Sequence, residues 1–411
     1  MIIVLWPDYM NRIEKDRTKP LILTFNRFYL PGHKAGGPIR TLANMIDRLG
    51  EEFDFRVVTL DRDLGSSIAY PNIKPCQWID QGKSRVYYYP PSKLTLTELS
   101  KVIRKIEPDL LYLNSFFDPF FTQRVLWARR LRLIPEIPIL MAPRGEFSLG
   151  ALGLKKIKKR IYLSVSKFIG IYDGIAWQAS NLLEKRDIKM VMPSISNEKI
   201  LVASDLATSD TRSDDLHKIY STDDKLLRIC FLSRISPIKN LDYALRCLRS
   251  VRASILFSIY GPKEDLGYWE ECQKLIDGMP ANVNVVWNGE LLPSQVHGEL
   301  CKHHLFLLPT RGENYGHVIH EALSAGLPVL ISDQTSWNNV VEHGVGWCVP
   351  LSDLDSFTGI IEEVAEWGSE HLEKVAYKCR TYARTIAQSN SILDDNRNLF
   401  KNVILAAAVK N

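Results

Sequence analysis

The segment PTRGENYGHVIHEALSAGLPV occupies residues 309–329. The apolar run His304–Leu308 precedes it and predicts a buried strand. The segment continues as a loop that carries Glu313, a helix that begins near Gly316, and a glycine at Gly326 that suits a helix C-cap. A strand, a loop and a helix in this order form the repeating unit of a parallel sheet covered by helices.

The same alternation of short apolar runs and helical patterns extends outward through both halves of the chain. In the first half, the runs that predict strands are Leu21–Phe25, Arg56–Leu60, Arg85–Tyr89, Asp109–Leu113, Ile137–Ala142 and Gly174–Trp177. In the second half they are Leu226–Leu232, Ser254–Tyr260, Asn284–Trp287, His304–Leu308 and Pro328–Ser332. Near-continuous apolar strands separated by helices predict an α/β protein with two doubly wound domains. Ligands of such sheets bind beyond the carboxyl ends of the strands, and the cleft between the domains is the expected place.

A polar, acidic stretch from Ala203 to Lys225 interrupts this pattern. It predicts an N-terminal domain over residues 1–203, a linker or flexible loop over 204–225, and a second domain that starts at residue 226. Beyond Leu354 the pattern is helical and contains no strong strand signal.

The composition limits the classes of protein to consider. The 411 residues are 45% hydrophobic and 24% charged, which are ordinary globular values, and the net charge of +5 does not demand nucleic acid as a partner. None of the seven cysteines has C-x-x-C spacing, so no disulfide framework or zinc site is predicted, and a reducing compartment fits best. No signal peptide and no apolar run of about 18 residues is recognised, which predicts a soluble or peripheral protein.

Positive charge is concentrated between residues 121 and 170, where 11 Lys and Arg face only Glu136 and Glu146. Within this region Leu152, Ile157, Ile161 and Val165 are interleaved with lysines and an arginine in a helical pattern. A helix with a core-facing side and a wet side is one interpretation, and contact with an anionic membrane or a phosphate-bearing acceptor is the other.

Three motifs carry candidate chemistry, and the first follows the opening strand. Gly36 and Gly37 stand between that strand and a predicted helix, where backbone approaches an anion closely and helix N–H groups face it. The spacing is not G-x-G-x-x-G, so dinucleotide binding loses support, and a tight turn without a ligand is the alternative interpretation.

The second motif is FLSRISPIKN at residues 231–240. Arg234 ends a predicted strand, Ser236 is a predicted N-cap with Pro237 at the first helical position, and Lys239 is expected in the first helical turn. A lysine there opposes the helix dipole unless an anion such as a diphosphate compensates it. Two solvated surface cations are the alternative.

The third motif is the opening segment itself. Backbone N–H groups around Tyr315 to Val318 suit phosphate or sugar oxygens, and the carboxylates of Glu313 and Glu321 suit paired hydroxyls of a sugar or a ribose. A loop charge and an exposed helix residue are the alternatives for the two glutamates.

Together these motifs resemble the retaining GT-B glycosyltransferases of family 4, the group 1 glycosyltransferases, of the kind that builds bacterial surface polysaccharide. The resemblance covers roughly residues 20–350 and is carried by E-x7-E, G-x-P-V, R-x4-K and the glycine pair. It implies transfer of a hexose from a UDP- or GDP-linked sugar to a glycan or a polyprenyl-diphosphate-linked acceptor, with retention of configuration. It further implies no metal or cofactor, no nucleic acid partner, and a cytoplasmic location with peripheral contact at the inner face of the membrane.

The resemblance also implies roles for individual residues. Arg234 and Lys239 would bind the diphosphate, Glu313 the donor sugar and Glu321 the ribose, and Arg234, Lys239 and Glu313 would be catalytic. The further donor-binding residues would be Gly36, Gly37, Gly261, Asn314, Tyr315, Gly316, His317 and Val318. The acceptor-binding residues would be Arg40, Arg144 and Glu146. The second domain would end at residue 384, and residues 385–411 would form a helix that packs back on the first domain.

One departure from the family pattern is that Arg144-Gly145 stands where many relatives carry His-Gly after the fifth strand. Two other functions stay open: a sugar-nucleotide epimerase of the same fold, and a non-catalytic scaffold that binds a nucleotide-sugar.

Overall fold

The computed structural model describes residue 6 and residues 18–153, 156–208 and 226–409. The chain divides into two units, the first made of Met1–Ser209 with Ser389–Asn411 and the second of Asp210–Gln388. The expected linker, residues 204–225, lies outside the described residues from 209 onward. Within the described part of the chain, every helix is too short or too polar to cross a bilayer.

The first unit is built on an eight-stranded sheet. Its strands are β1 (Leu21–Phe25), β2 (Asp54–Leu60), β3 (Trp78–Gln81), β4 (Ser84–Tyr89), β5 (Leu110–Asn114), β6 (Ile139–Ala142), β7 (Ala176–Ala179) and β8 (Ile200–Val202). The order across the sheet is β3-β4-β2-β1-β5-β6-β7-β8, and every neighbouring pair is parallel except β3 with β4. Its helices are α1 (Gly37–Leu49), α2 (Leu96–Ile106), α3 (Thr122–Arg130), α4 (Leu149–Gly153), α5 (Lys156–Phe168) and α6 (Leu182–Val191).

The second unit is built on a six-stranded parallel sheet. Its strands are β9 (Leu226–Leu232), β10 (Ser254–Tyr260), β11 (Val283–Trp287), β12 (Leu305–Leu308), β13 (Val329–Ser332) and β14 (Gly346–Val349). They are ordered β11-β10-β9-β12-β13-β14. The helices are α7 (Leu241–Arg249), α8 (Leu266–Asp277), α9 (Pro293–Leu300), α10 (His317–Ser324), α11 (Leu354–Ala365) and α12 (Ser369–Ala387).

The last helix, α13 (Asn390–Ala408), belongs to the first unit. The ring of Phe400 packs edge-on against Phe53 at 5.5 Å and against Tyr112 at 5.4 Å between centroids. The guanidinium of Arg397 donates to both carboxylate oxygens of Glu52, at 2.6 and 2.8 Å. The first unit is therefore assembled from two stretches of chain that are far apart in sequence.

The predicted fold class is confirmed, because each unit is a wholly or largely parallel sheet combined with helices. Strand β1, in the middle of the first sheet, is buried along its whole length. Burial on both faces explains why a continuous apolar run marked this strand in the sequence.

Candidate active site

Both sheets contain a point where the strand order reverses. In the second unit, the chain passes from β9 outward through β10 and β11, then returns to the opposite side of β9 as β12. The loops that follow β9 and β12 therefore leave the same edge of the sheet in opposite directions, and such switch points are where α/β sheets bind ligands. Arg234 and Lys239 lie in the loop after β9, and Glu313 lies in the loop after β12.

The loops after β9 and β12 meet in an ion pair. The Nζ atom of Lys239 donates to the Oε2 atom of Glu313 at 2.5 Å, although the residues are 74 positions apart. The side chains are only 11% and 16% exposed, so their attraction is screened less than that of a surface pair. Lys239 and Glu313, which belong to two different sequence motifs, thus form one ion pair.

Backbone contacts hold these two loops together. The backbone N–H of Arg311 donates to the carbonyl of Ile238 at 2.7 Å, and the hydroxyl of Thr310 donates to the same carbonyl at 3.0 Å. The side-chain amide of Asn240 donates to the carbonyl of Pro309 at 2.8 Å. These hydrogen bonds to the loop after β12 therefore fix the loop that carries Lys239.

The predicted helix start at this loop is wrong. Helix α7 begins at Leu241 with Asn240 as its N-cap, so Ser236 is not the N-cap and Lys239 precedes the first helical turn. The N–H of Lys239 instead donates to the carbonyl of Ser236 at 2.9 Å and closes a turn. Pro237 suits the second position of such a turn as well as the first position of a helix, and the contact of Asn240 with the β12 loop selects the turn.

Arg234 has a partner that the sequence did not reveal. Its guanidinium donates to Oε1 of Glu264 at 2.5 Å, and the two side chains are 38% and 39% exposed. Glu264 lies in the loop after β10, where the carbonyl of Pro262 accepts a 2.8 Å hydrogen bond from Ile235. In the sequence, only the position of Glu264 just after a predicted strand indicated that it could lie near the site.

Gly261 allows the loops after β9 and β10 to approach closely. Its φ is +131°, and a Cβ atom built on it would stand 1.9 Å from the carbonyl oxygen of Ser233. No side chain fits there without a backbone shift, so this glycine positions the chain that leads to Arg234.

We expect Gly261→Ala to lower the free energy of unfolding by about 1–3 kcal/mol, because the new methyl group must push the Ser233 backbone away. The control is Gly359→Ala in α11, where a Cβ would meet no atom within 4 Å. That change should stabilise the protein slightly, since alanine favours a helix over glycine. Urea unfolding followed by circular dichroism compares the two, and equal midpoints would contradict the steric argument.

The loop that carries Glu313 leads into helix α10. Gly316, with φ +81°, is its N-cap, and Asn314, His317 and Val318 are half-buried around the first turn. The positive end of the helix dipole therefore lies beside Glu313. Tyr315 is buried between His317 and Trp337, whose rings lie 4.7 and 5.5 Å from it.

Two further polar residues of this helix face different surroundings. Glu321 is half-buried on α10, one turn beyond the first. His320 points inward, where its Nε2 atom lies 3.1 Å from the carbonyl oxygen of Ala383 and burial lowers the pKa of the imidazole. His320 therefore holds α10 against α12.

The switch point of the first unit lies between β1 and β5. Gly36 has φ +66° and Gly37 begins α1, and the carboxylate of Asp63 accepts from the N–H of His33 at 2.9 Å. Arg40 is half-buried on α1, and burial lowers the pKa of its guanidinium. The glycine pair therefore stands at a helix N-terminus, as the sequence predicted.

Arg144 lies within a buried polar network. Its guanidinium donates to Asp205 at 2.5 Å, to Asn114 at 2.9 and 3.1 Å, and to the hydroxyl of Tyr112. The side chains of Arg144 and Asp205 are 7% and 2% exposed, and Asp205 also accepts from the hydroxyl of Thr41 at 2.8 Å.

Glu146 also has internal partners. Its carboxylate accepts from the hydroxyl of Ser115 at 2.6 Å and from the N–H groups of Phe116 and Phe117 at 2.7 and 2.9 Å, and burial raises its pKa. The structure thus uses Arg144 and Glu146 to hold the β5 and β6 loops, and their expected contact with an acceptor stays a prediction.

Glu184 anchors the same region. Its carboxylate accepts from the N–H of Gly145 at 2.6 Å and from the N–H and hydroxyl of Ser180, both at 2.7 Å. Burial raises the pKa of this carboxyl group. Glu184 therefore fixes the turn in which Arg144 stands.

The second unit of the chain matches a known family model. Residues 227–366 match the family described as Glycosyl transferases group 1. An uncharacterized 41.2 kDa protein in the cps region of Klebsiella pneumoniae is 23% identical over 309 residues, which are 73% of this chain and 81% of that protein.

Several solved structures are similar in fold, and three of them illustrate the likeness. HepE of Anabaena, in complex with UDP and glucose, has a TM-score of 0.68 at 15% identity, over 93% of this chain and 99% of that one. WaaG, a glycosyltransferase involved in lipopolysaccharide biosynthesis, has a TM-score of 0.64 at 14% identity, over 93% and 99%. Sucrose-phosphate synthase of Thermosynechococcus elongatus has a TM-score of 0.68 at 15% identity, over 94% and 100%. These findings confirm the predicted GT-B fold and the predicted resemblance to group 1 glycosyltransferases.

Proposed function

From the match to group 1 glycosyltransferases, we propose that this chain transfers a hexose from a UDP- or GDP-linked sugar to a glycan or a lipid-linked glycan, with retention of configuration and without a metal ion. The observation that carries the proposal is the pair of Lys239 and Glu313 at the switch point of the second unit, with Arg234 on the same loop as Lys239. The cps-region relative and the complex of HepE with UDP support surface polysaccharide as the product class and a nucleotide-sugar as the donor.

Charge is the first part of the proposed mechanism. When the bond between the sugar and the diphosphate breaks, negative charge grows on the leaving diphosphate and positive charge on the sugar ring. The cations of Arg234 and Lys239 and the N-terminus of α10 stabilise that negative charge from fixed positions. Each cation is paired with a carboxylate, Arg234 with Glu264 and Lys239 with Glu313, and keeps further N–H donors that can bind the diphosphate.

The second part of the proposed mechanism is the orientation of the donor sugar by Glu313. Its Oε2 atom accepts from Lys239, which leaves Oε1 to accept from a hydroxyl of the donor sugar. A glutamate held in this way orients the sugar over the diphosphate. The acceptor then attacks from the face that the diphosphate leaves, and a phosphate oxygen accepts the proton of the acceptor hydroxyl.

We expect Lys239→Ala to weaken the affinity for UDP or GDP by at least about tenfold, because a charge-assisted contact to the diphosphate is lost. Titration calorimetry with both nucleotides measures this directly. The matched control is Lys302→Ala, since Lys302 also pairs with a glutamate, Glu299, but precedes β12 and so lies near the opposite edge of the sheet.

A panel of nucleotide-sugars with candidate glycan acceptors completes the test, with release of free UDP or GDP as the readout. Release that depends on acceptor supports transfer. An altered sugar that stays on the nucleotide would favour an epimerase, and tight binding without turnover of any donor would favour a scaffold. Equal affinities of the Lys239→Ala and Lys302→Ala proteins would contradict the site assignment.

A further inference from the structure

Helix α5 of the first unit leaves a row of large apolar side chains exposed. Ile157 is 76% exposed, Ile161 60%, Val165 53% and Phe168 92%. At about 100° per residue these four positions fall within about 80° of one another around the helix axis. They form one continuous strip, which we call the apolar row.

The apolar row is separate from the face that attaches α5 to the unit. On that other face, the ring of Tyr162 lies 5.9 Å from both Phe116 and Phe117, and its hydroxyl is 2.6 Å from that of Tyr172. Ser166 is buried on the same side. The interpretation that interleaved apolar residues such as Ile157 and Ile161 face the core is therefore wrong, because the helix meets the core through other residues.

Positive charge borders the apolar row on both sides. Lys158 follows Val165 around the helix, and Arg160 and Lys167 stand on the opposite flank, all three exposed. Lys159 is turned inward, where its Nζ atom donates to the carbonyl of Ala151 at 2.6 Å. No Asp or Glu occurs between residues 147 and 172 of the sequence, so no acid offsets this charge locally along the chain.

We propose that α5 docks this protein on an anionic lipid bilayer, lying flat in the interface with the apolar row inserted among the acyl chains. Lys158, Arg160 and Lys167 would then stand at the level of the lipid phosphates. A helix with one apolar face and cations on its flanks has the two features that together give stable interfacial binding.

A second copy of the chain fits this surface poorly. Contact between two apolar rows would bring Lys158, Arg160 and Lys167 of each copy against the same cations of the other, without acids to pair them. An anionic bilayer supplies both an apolar layer and the opposite charge. The proposal goes beyond the transferase function, because it uses no residue of the nucleotide site.

Flotation of the full chain with vesicles tests the proposal. We expect binding to vesicles of mixed phosphatidylcholine and phosphatidylglycerol, weaker binding to phosphatidylcholine alone, and loss of binding as salt is raised. Phe168→Ser should lower partitioning by about tenfold, because a large apolar anchor is removed. The double change Lys158→Glu with Arg160→Glu should lower binding to the mixed vesicles by about tenfold or more.

Two matched controls keep the test specific. Ile68→Ser removes another side chain that is 78% exposed, and Lys105→Glu reverses another exposed charge, both within the first unit. Both should leave partitioning unchanged. Calorimetry with UDP and GDP on every variant shows that the fold is intact and reports on the nucleotide site separately from lipid binding.

Three results would overturn the proposal. One is failure of the wild-type protein to bind the mixed vesicles, and another is equal binding by the Phe168→Ser and Ile68→Ser proteins. The third is a dimer in light scattering that Phe168→Ser converts to a monomer, since the apolar row would then be an interface between copies.

Discussion

Glu313→Gln is expected to lower the rate of sugar transfer by about 10³-fold while the affinity for UDP or GDP changes only a few fold. The amide keeps the size of the side chain, but it has one acceptor oxygen instead of two and no charge to hold Lys239 in place. The phosphate contacts proposed for Lys239 and Arg234 are expected to persist in this variant. Initial rates at saturating donor, combined with calorimetry of nucleotide binding, separate the two effects.

The control for Glu313→Gln is Glu98→Gln. Glu98 also pairs with a lysine, Lys101, at 2.7 Å, but both side chains are well exposed in the first unit. Its substitution should leave transfer unchanged, since exposed pairs contribute little. Transfer by the Glu313→Gln protein at the wild-type rate would remove the carboxylate from the mechanism. A double-mutant cycle with Lys239→Ala measures the coupling within the pair, and additive effects would show that the two residues act independently.

Arg144→Met is expected to lower the free energy of unfolding by about 3–5 kcal/mol, because it leaves Asp205 buried without a counter-charge. Adding Asp205→Asn to this variant should recover part of the loss, since the unpaired charge disappears. Urea unfolding followed by circular dichroism gives the comparison. The control is Arg85→Met, because Arg85 pairs with Asp80 at 3.1 Å on the surface, where a pair contributes about 1 kcal/mol or less.

A midpoint for Arg144→Met equal to that of Arg85→Met would contradict the importance of the buried pair. Failure of Asp205→Asn to recover stability would mean that Arg144 acts through its bonds to Asn114 and Tyr112 instead. The Arg144→Met, Asp205→Asn double variant thus identifies which contacts of Arg144 stabilise the loop after β6.

The sequence predicted the central strands well. Leu21–Phe25 matches the wholly buried β1, and Leu226–Leu232 and Ser254–Tyr260 match β9 and β10, in which most residues are buried, because central parallel strands admit mainly apolar side chains. β3, Trp78–Gln81, was not predicted, since it pairs antiparallel at the sheet edge and its residues are half-buried or exposed. β8 has three residues, too few for a recognisable pattern.

The site was predicted as separate residues rather than as an arrangement. Lys239 and Glu313 stand in motifs 74 positions apart, and only the order of β9 and β12 in the sheet brings them to 2.5 Å. Arg144 was recognised as a departure from a family pattern, but its partner Asp205 lies 61 positions away and no local signal connects them. Local sequence reports local structure, whereas these pairs depend on how strands are ordered.

Helix α13 delays the completion of the first unit until residues 390–408 have been synthesised. Residues 18–208 leave the ribosome well before residues 390–408, yet Phe53 and Tyr112 need Phe400 to cover them. The second unit emerges in between and contains its whole sheet within one continuous stretch of chain. During synthesis, therefore, the part of the protein that is made first stays partly uncovered, and the part that is made second can finish folding before it.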